Sequence, residues 1–124
     1  MKELVVRVPA MPKDANADGD VFGGWLLSQM DLAGGAFARK IARGRVVTVA
    51  MDNIIFHLPV FIGDYIECIV ELMKVGNTSI NVKVVTWVER RASGKKEKVT
   101  EGNFTFVAID INRRPVKIEN PALI

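Results

Sequence analysis

One helical segment, Trp25 to Arg43, is followed by sequence that is almost entirely strand-like from Arg45 to Ile111. Such a chain has one helix with which to cover whatever sheet it makes. Leu26, Met30, Ala33, Phe37 and Ile41 recur at helical spacing and predict one buried face. Gly34, Gly35 and Ala36 sit in the middle of that helix, where each Gly costs about 1 kcal/mol relative to Ala. The cost is explained if another backbone comes close at this point, as in a sheet wrapped around the helix. Gly23 and Gly24 open the segment, and Gly44 is the expected stop.

The remaining elements follow from alternation and from turn residues. Glu3 to Val8 is a short strand stopped by Pro9 and Pro12, and Lys13 to Asp20 is a polar loop. Arg45 to Met51 reads as a strand that continues through Asn53 to His57 and breaks at Pro59. Gly63-Asp64 is a turn into the strand Tyr65 to Val75, and Gly76-Asn77 a tight hairpin into Thr78 to Arg90. A basic loop, Arg90 to Lys98, leads to the last strand, Val99 through Ile111. There Phe104, Phe106 and Ala108 share one face, with Asn103 and Thr105 on the other. The expectation is an α+β fold over residues 1–124: one domain, one apolar helix against an antiparallel sheet of long strands joined by hairpins, and an irregular tail from residue 113.

Composition narrows the function. With 124 residues, 49% hydrophobic and 25% charged, the chain is neither disordered nor of low complexity. A mean hydropathy of +0.19 is high for so small a domain and predicts apolar surface covered by another subunit. The net charge of +3 is spread over scattered basic pairs. That excludes a nucleic-acid-binding arm and suits a small, phosphate-bearing acidic ligand. Cys68 is the single cysteine and His57 the single histidine, so neither a disulfide nor a zinc site is expected. The apolar run near the N-terminus is too short for a signal peptide, and no stretch approaches the ~20 apolar residues that span a bilayer. The expected location is the cytoplasm, without membrane attachment.

The stretch Asn16-Ala17-Asp18-Gly19-Asp20-Val21-Phe22-Gly23-Gly24, with Asp31 further along the helix, carries the chemistry. Two glycines at a helix start leave N–H groups unshielded at the positive end of the macrodipole, where they hold an oxyanion or polarise a carbonyl. The same pair also serves a sharp loop-to-helix turn, and Asn16 on its own reads as a turn former. Asp31 is an acid in a helix otherwise apolar or small from Trp25 to Phe37. It lies seven residues beyond Gly24, about 10 Å along the axis and at nearly the same azimuth. A carbonyl held at Gly24 is therefore out of easy reach of the same chain's Asp31, whereas an antiparallel helix from a second subunit brings a partner carboxylate opposite. The spacing predicts a site shared between two copies.

Taken together, Asn-x-x-Gly-Asp-x-Phe-Gly-Gly over residues 16–24 and the helical Asp31 resemble the hotdog-fold acyl-CoA thioesterases, specifically the YciA-type group. Residues 44–50 (Gly-Arg-Val-Val-Thr-Val-Ala), 56–60 (Phe-His-Leu-Pro-Val), Gly63-Asp64, 76–79 (Gly-Asn-Thr-Ser) and Trp87-Val88 extend the resemblance from Pro12 to Asp110. It implies a long helix wrapped by an antiparallel sheet, dimerisation into a double hotdog, and trimers of dimers. It also implies roles. Asp31 would be the catalytic carboxylate, a general base on water or a nucleophile on the thioester. Gly24 would give the oxyanion N–H with Gly23 beside it, and Asn16 would orient water or carbonyl from across the dimer interface. Thr78 and Ser79 match a segment near bound coenzyme A, and Arg90 and Arg91, with Lys95, Lys96, Lys98, Arg113 and Arg114, are candidates for its phosphates. His57 is expected to be structural first and a substrate neighbour second. Leu58 departs from the pattern, since relatives often carry a basic residue before this proline.

The implied activity is hydrolysis of acyl-CoA to free fatty acid and coenzyme A, with no metal and no cofactor beyond the coenzyme A of the substrate. A non-catalytic acyl-CoA sensor of the same fold is the alternative. A hotdog dehydratase is the other, although those rely on a histidine near the helix and this helix has none.

Overall fold

The computed structural model describes residues 1–122. Five strands, β1 (Lys2–Pro9), β2 (Val46–Phe56), β3 (Tyr65–Val75), β4 (Ser79–Glu89) and β5 (Lys96–Ala108), form one antiparallel sheet in the order β1-β3-β4-β5-β2. A single helix, α1 (Gly23–Ala42), lies across its inner face.

Alternation along β4 shows how the two layers meet. Ile80, Val82, Val84, Thr86 and Val88 are buried, and the residues between them are only partly so. From α1, the Leu26, Met30, Ala33, Phe37 and Ile41 stripe is buried as its spacing predicts, together with Gly34 and Ala38. Phe104 and Phe106 stack between the layers with ring centroids 6.5 Å apart. Gly34 earns its place here, but not as predicted. A Cβ on Gly34 would sit 3.1 Å from the Phe106 ring and 3.5 Å from Val82, so the close neighbour is an aromatic side chain and not a second backbone.

Several boundaries move. The helix begins at Gly23, two residues before Trp25, and ends at Ala42. Arg43, not Gly44, takes the left-handed conformation (φ 57°) that closes it. The Arg43 guanidinium donates to the Asn120 carbonyl at 2.8 Å, which holds that conformation in place. β5 starts at Lys96, inside the segment read as a basic loop, because Lys96, Glu97 and Lys98 pair with Glu89, Val88 and Trp87. It ends at Ala108 rather than Ile111.

The larger correction concerns topology. Hairpins join β3 to β4 and β4 to β5, but β2 does not pair with β3. Both edges of β3 are taken, by β1 and β4, so β2 pairs with β5 at the far side of the sheet. The connection from His57 to Asp64 must then cross the end of the sheet beside the start of α1. It is tied there: Val21 donates to the Val60 carbonyl at 2.9 Å, and Ala10 to the Asp64 carbonyl at 2.8 Å. The tail is irregular, as expected, but anchored, with Ile118 donating to Asn77 and Ala122 to Ile41. Residues 123 and 124 lie outside the described residues. No helix among the described residues is long and apolar enough to cross a membrane.

Candidate active site

Phe22 is extended (φ −76°, ψ 147°), so Gly23 and Gly24 are the first two residues of α1. Their N–H groups have no carbonyl one turn back in the helix and sit at its positive end. The loop before them is built by Asn16, whose side-chain oxygen accepts the N–H of Asp18 (2.9 Å) and of Asp20 (3.1 Å). Asn16 N–H donates to the Asp20 carbonyl at 2.7 Å. The amide NH₂ end is thereby left as the free end of an exposed side chain, pointing chemistry outward from a fixed loop.

A concavity of about 490 Å³ opens beside this helix start, lined by Val21, Gly23, Leu26, Phe56, His57, Leu58, Pro59 and Val60. Phe56 lies against Gly23, where a Cβ would meet its ring at 3.1 Å. A side chain at position 23 would push the ring off the helix. His57 Nε2 is 2.8 Å from Glu101 Oε2, so the ring is fixed by a carboxylate. Lys98 at 2.9 Å and His57 hold Glu101 well below the ordinary carboxylate value, at about 2.

Asp31 lies elsewhere. It lines a second concavity of about 340 Å³ with Leu32, Gly35, Ala36, Arg39, Val46, Thr48 and Phe106. Thr48 on β2 donates its hydroxyl to Asp31 Oδ1 at 2.6 Å. Thr78 and Ser79 lie further along the sheet, at the start of β4 opposite Val107. They are roughly 23 Å along the strand from Thr86, which belongs to the Phe56 end of the sheet. One protomer therefore separates the predicted residues into three places: Gly23, Gly24, Asn16 and His57 around the helix start, Asp31 in mid-helix, and Thr78 with Ser79 at the opposite end.

The two arginines differ from each other. Arg90 is largely buried and its guanidinium is engaged on every nitrogen, with Asp64 (3.0 Å), Glu97 (2.9 Å) and the Pro59 carbonyl (2.8 Å). Asp64, itself buried, also accepts the N–H groups of Phe61 and Arg91. The Arg90 guanidinium, with Lys95, holds Glu97 below the usual carboxylate range. Arg90 thus braces the crossing connection. Arg91 is exposed and lies over Gly63, whose positive φ of 92° and lack of a Cβ admit it. It lines a concavity of about 540 Å³ with Phe61, Ile62 and Ser93. Burial raises the Cys68 thiol to about 11, so it is an inert core group as expected.

Sequence reasoning missed Thr48 as the partner of Asp31, Asp64 as the hub of the connection, and Phe56 as the cover of Gly23. Only Thr48 left a usable signal, a hydroxyl in a strand beginning just past the helix that carries the acid.

The thioesterase superfamily profile matches residues 18–95. An acyl-CoA thioester hydrolase YciA from Salmonella typhimurium is 47% identical over 116 residues, covering 91% of this chain and 87% of that one. A hexameric thioesterase from Yersinia pestis matches with a TM-score of 0.91 at 46% identity, covering 94% of this chain and 95% of its own. A hexameric hotdog-fold thioesterase of Campylobacter jejuni matches with a TM-score of 0.89 at 42% identity, covering 94% and 90%. The fold, one long helix laid across a five-stranded antiparallel sheet, is thus shared over nearly the whole length with these proteins, and the chain belongs to the hotdog-fold thioesterase superfamily.

Proposed function

We propose that this protein is a cytoplasmic acyl-CoA thioesterase, acting as a homo-oligomer whose sites are each built from two subunits. The observation that carries the reading is the placement of Asp31: a carboxylate held by Thr48 on the helix whose first N–H groups, at Gly23 and Gly24, are free to bind an oxyanion. A thioester has little resonance stabilisation, so a positioned carboxylate and a good oxyanion donor suffice without metal or prosthetic group.

In this reading the thioester carbonyl oxygen rests on the Gly24 N–H at the helix start of one subunit. Asp31 of the second subunit either takes the proton of an attacking water or attacks the carbonyl carbon itself. Charge develops on the oxygen at the positive end of the helix, where it is stabilised most in the transition state. Collapse expels the coenzyme A thiolate and leaves the free acid where water attacked, or an anhydride on Asp31 that a water then cleaves to the free acid. The Asn16 amide donates to the water or the carbonyl from its fixed loop. Thr78 and Ser79, at the opposite end of the protomer, approach the substrate from the partner's side, and Arg91 supplies the free guanidinium for phosphate. The YciA relative's name supports the acyl-CoA substrate, and the hexameric relatives support the assembly.

Coenzyme A release from acyl-CoA of graded chain length, followed with a thiol reagent, tests the reading. Turnover of at least one acyl-CoA is expected. Tight binding without release would make the protein a sensor and overturn it.

A further inference from the structure

Thr100 is buried, and among the described residues its Oγ1 is the one buried side-chain oxygen with no hydrogen-bond partner. A hydroxyl left so in a core is destabilising, and a valine of the same shape would avoid it. Its position is specific. Cys68 on β3, Thr86 on β4, Thr100 on β5 and Phe56 on β2 are direct cross-strand partners, so their side chains share the inner face in one row. Cys68 and Thr86 satisfy each other at 3.5 Å. Thr100 stands between that pair and Phe56 with nothing to bond.

The backbone around Thr100 is bent. Thr86 pairs with Thr100 but Trp87 with Lys98, which leaves Val99 as the extra residue of a bulge. The Val99 carbonyl then accepts two donors, the N–H of His57 (2.7 Å) and of Leu58 (3.3 Å). The bulge turns both Val99 and Thr100 inward and ties them to the segment that lines the concavity beside Gly23. Phe56, the cross-strand partner of Thr100, lines that concavity, and Thr100 itself does not. The Phe56 ring is half-exposed in the protomer and lies against Gly23.

We infer that Thr100 is a specificity-determining residue of the acyl site, reached when the Phe56 ring turns aside, and that its hydroxyl selects acyl groups bearing an oxygen substituent near the thioester. This rests on the thioesterase reading above. An unsubstituted chain laid on this floor leaves the hydroxyl facing methylene groups. A substrate hydroxyl gives it a partner in a site that excludes water, the situation in which polar discrimination is largest.

The test compares butyryl-CoA with its α-, β- and γ-hydroxy derivatives. The wild-type protein should show a higher kcat/KM for one hydroxylated isomer than for butyryl-CoA. Thr100→Val should lower that ratio roughly tenfold, and Thr100→Ser should keep it. Equal or lower kcat/KM for all three isomers in the wild type overturns the inference whether or not the variants fold. So does a ratio untouched by Thr100→Val, even if the variant melts higher, since Thr100 would then hold only a buried water. Absence of turnover with every acyl-CoA would instead refute the thioesterase reading itself.

Discussion

The hydroxyl of Thr48 donates to Asp31 across 2.6 Å, from the strand that follows the helix to the acid in its middle. A lone carboxylate on a helix swings among rotamers. One oxygen pinned by a strand hydroxyl aims the other, and the sheet thereby orients a group that the helix alone leaves loose.

Asp31→Asn should fold and assemble normally and lower kcat by roughly 10²–10⁴-fold. Thr48→Val should lower kcat roughly tenfold with KM changed by less than about twofold, because it misaims the acid without touching the substrate. Thr48→Ser should restore the rate. Steady-state kinetics on the three variants decide this, and a Thr48→Val effect confined to KM would remove the positioning role.

Much of this was legible beforehand for reasons that also explain the failures. The helix, its buried stripe and the Phe104–Phe106 face depend on local periodicity, and local periodicity is written in the sequence. The pairing of β2 with β5 is not, because it depends on which edges of β3 remain free after β1 has docked. Gly34 announced a close contact but not its nature, since a missing Cβ accommodates an aromatic ring as readily as a backbone. Arg90 and Arg91 look alike as letters. Only the position of Asp64 beneath them divides a buried brace from an exposed cation.

That division gives a stability prediction. Arg90→Ala leaves Asp64 and Glu97 without their guanidinium, and breaking such a pair on a buried carboxylate costs about 3 kcal/mol or more. Arg91→Ala removes an exposed side chain and should leave the melting temperature nearly unchanged while raising KM for acyl-CoA. Thermal melts and KM values of the two variants should therefore move in opposite columns; equal melting temperatures would show that the brace contributes nothing.

Glu101 sets an acid limit. Lys98 and His57 hold its carboxyl at about 2, below the ordinary 4.5, so the folded state favours the charged form. Its contribution is fully present above pH 4.5 and is lost as the pH falls toward 2. Wild type should melt above Glu101→Gln at neutral pH, and the gap should close across that window, with added salt narrowing it throughout. A gap independent of pH between those limits would show that Glu101 acts by packing and not by charge.

The shared site is tested most directly by mixing subunits. In one protomer Asp31 lies about 10 Å along the helix from Gly24, and the concavity that Asp31 lines shares no residue with the one beside Gly23. If Asn16 and Gly24 act with the partner's copy of residue 31, every dimer holds two mixed sites. Asn16→Ala and Asp31→Ala should each be nearly inactive alone. Denatured together in equal amounts and refolded, they should form about half heterodimers by random pairing. In a heterodimer one site inherits both lesions and the other combines intact Asn16 with intact Asp31. Roughly a quarter of wild-type activity should then return. Were both residues drawn from one chain, every site would carry a lesion and mixing would restore nothing. Subunit exchange is verified independently by a mass tag on one variant, so that a failure to recover activity in a mixture shown to contain heterodimers places the whole site within a single chain.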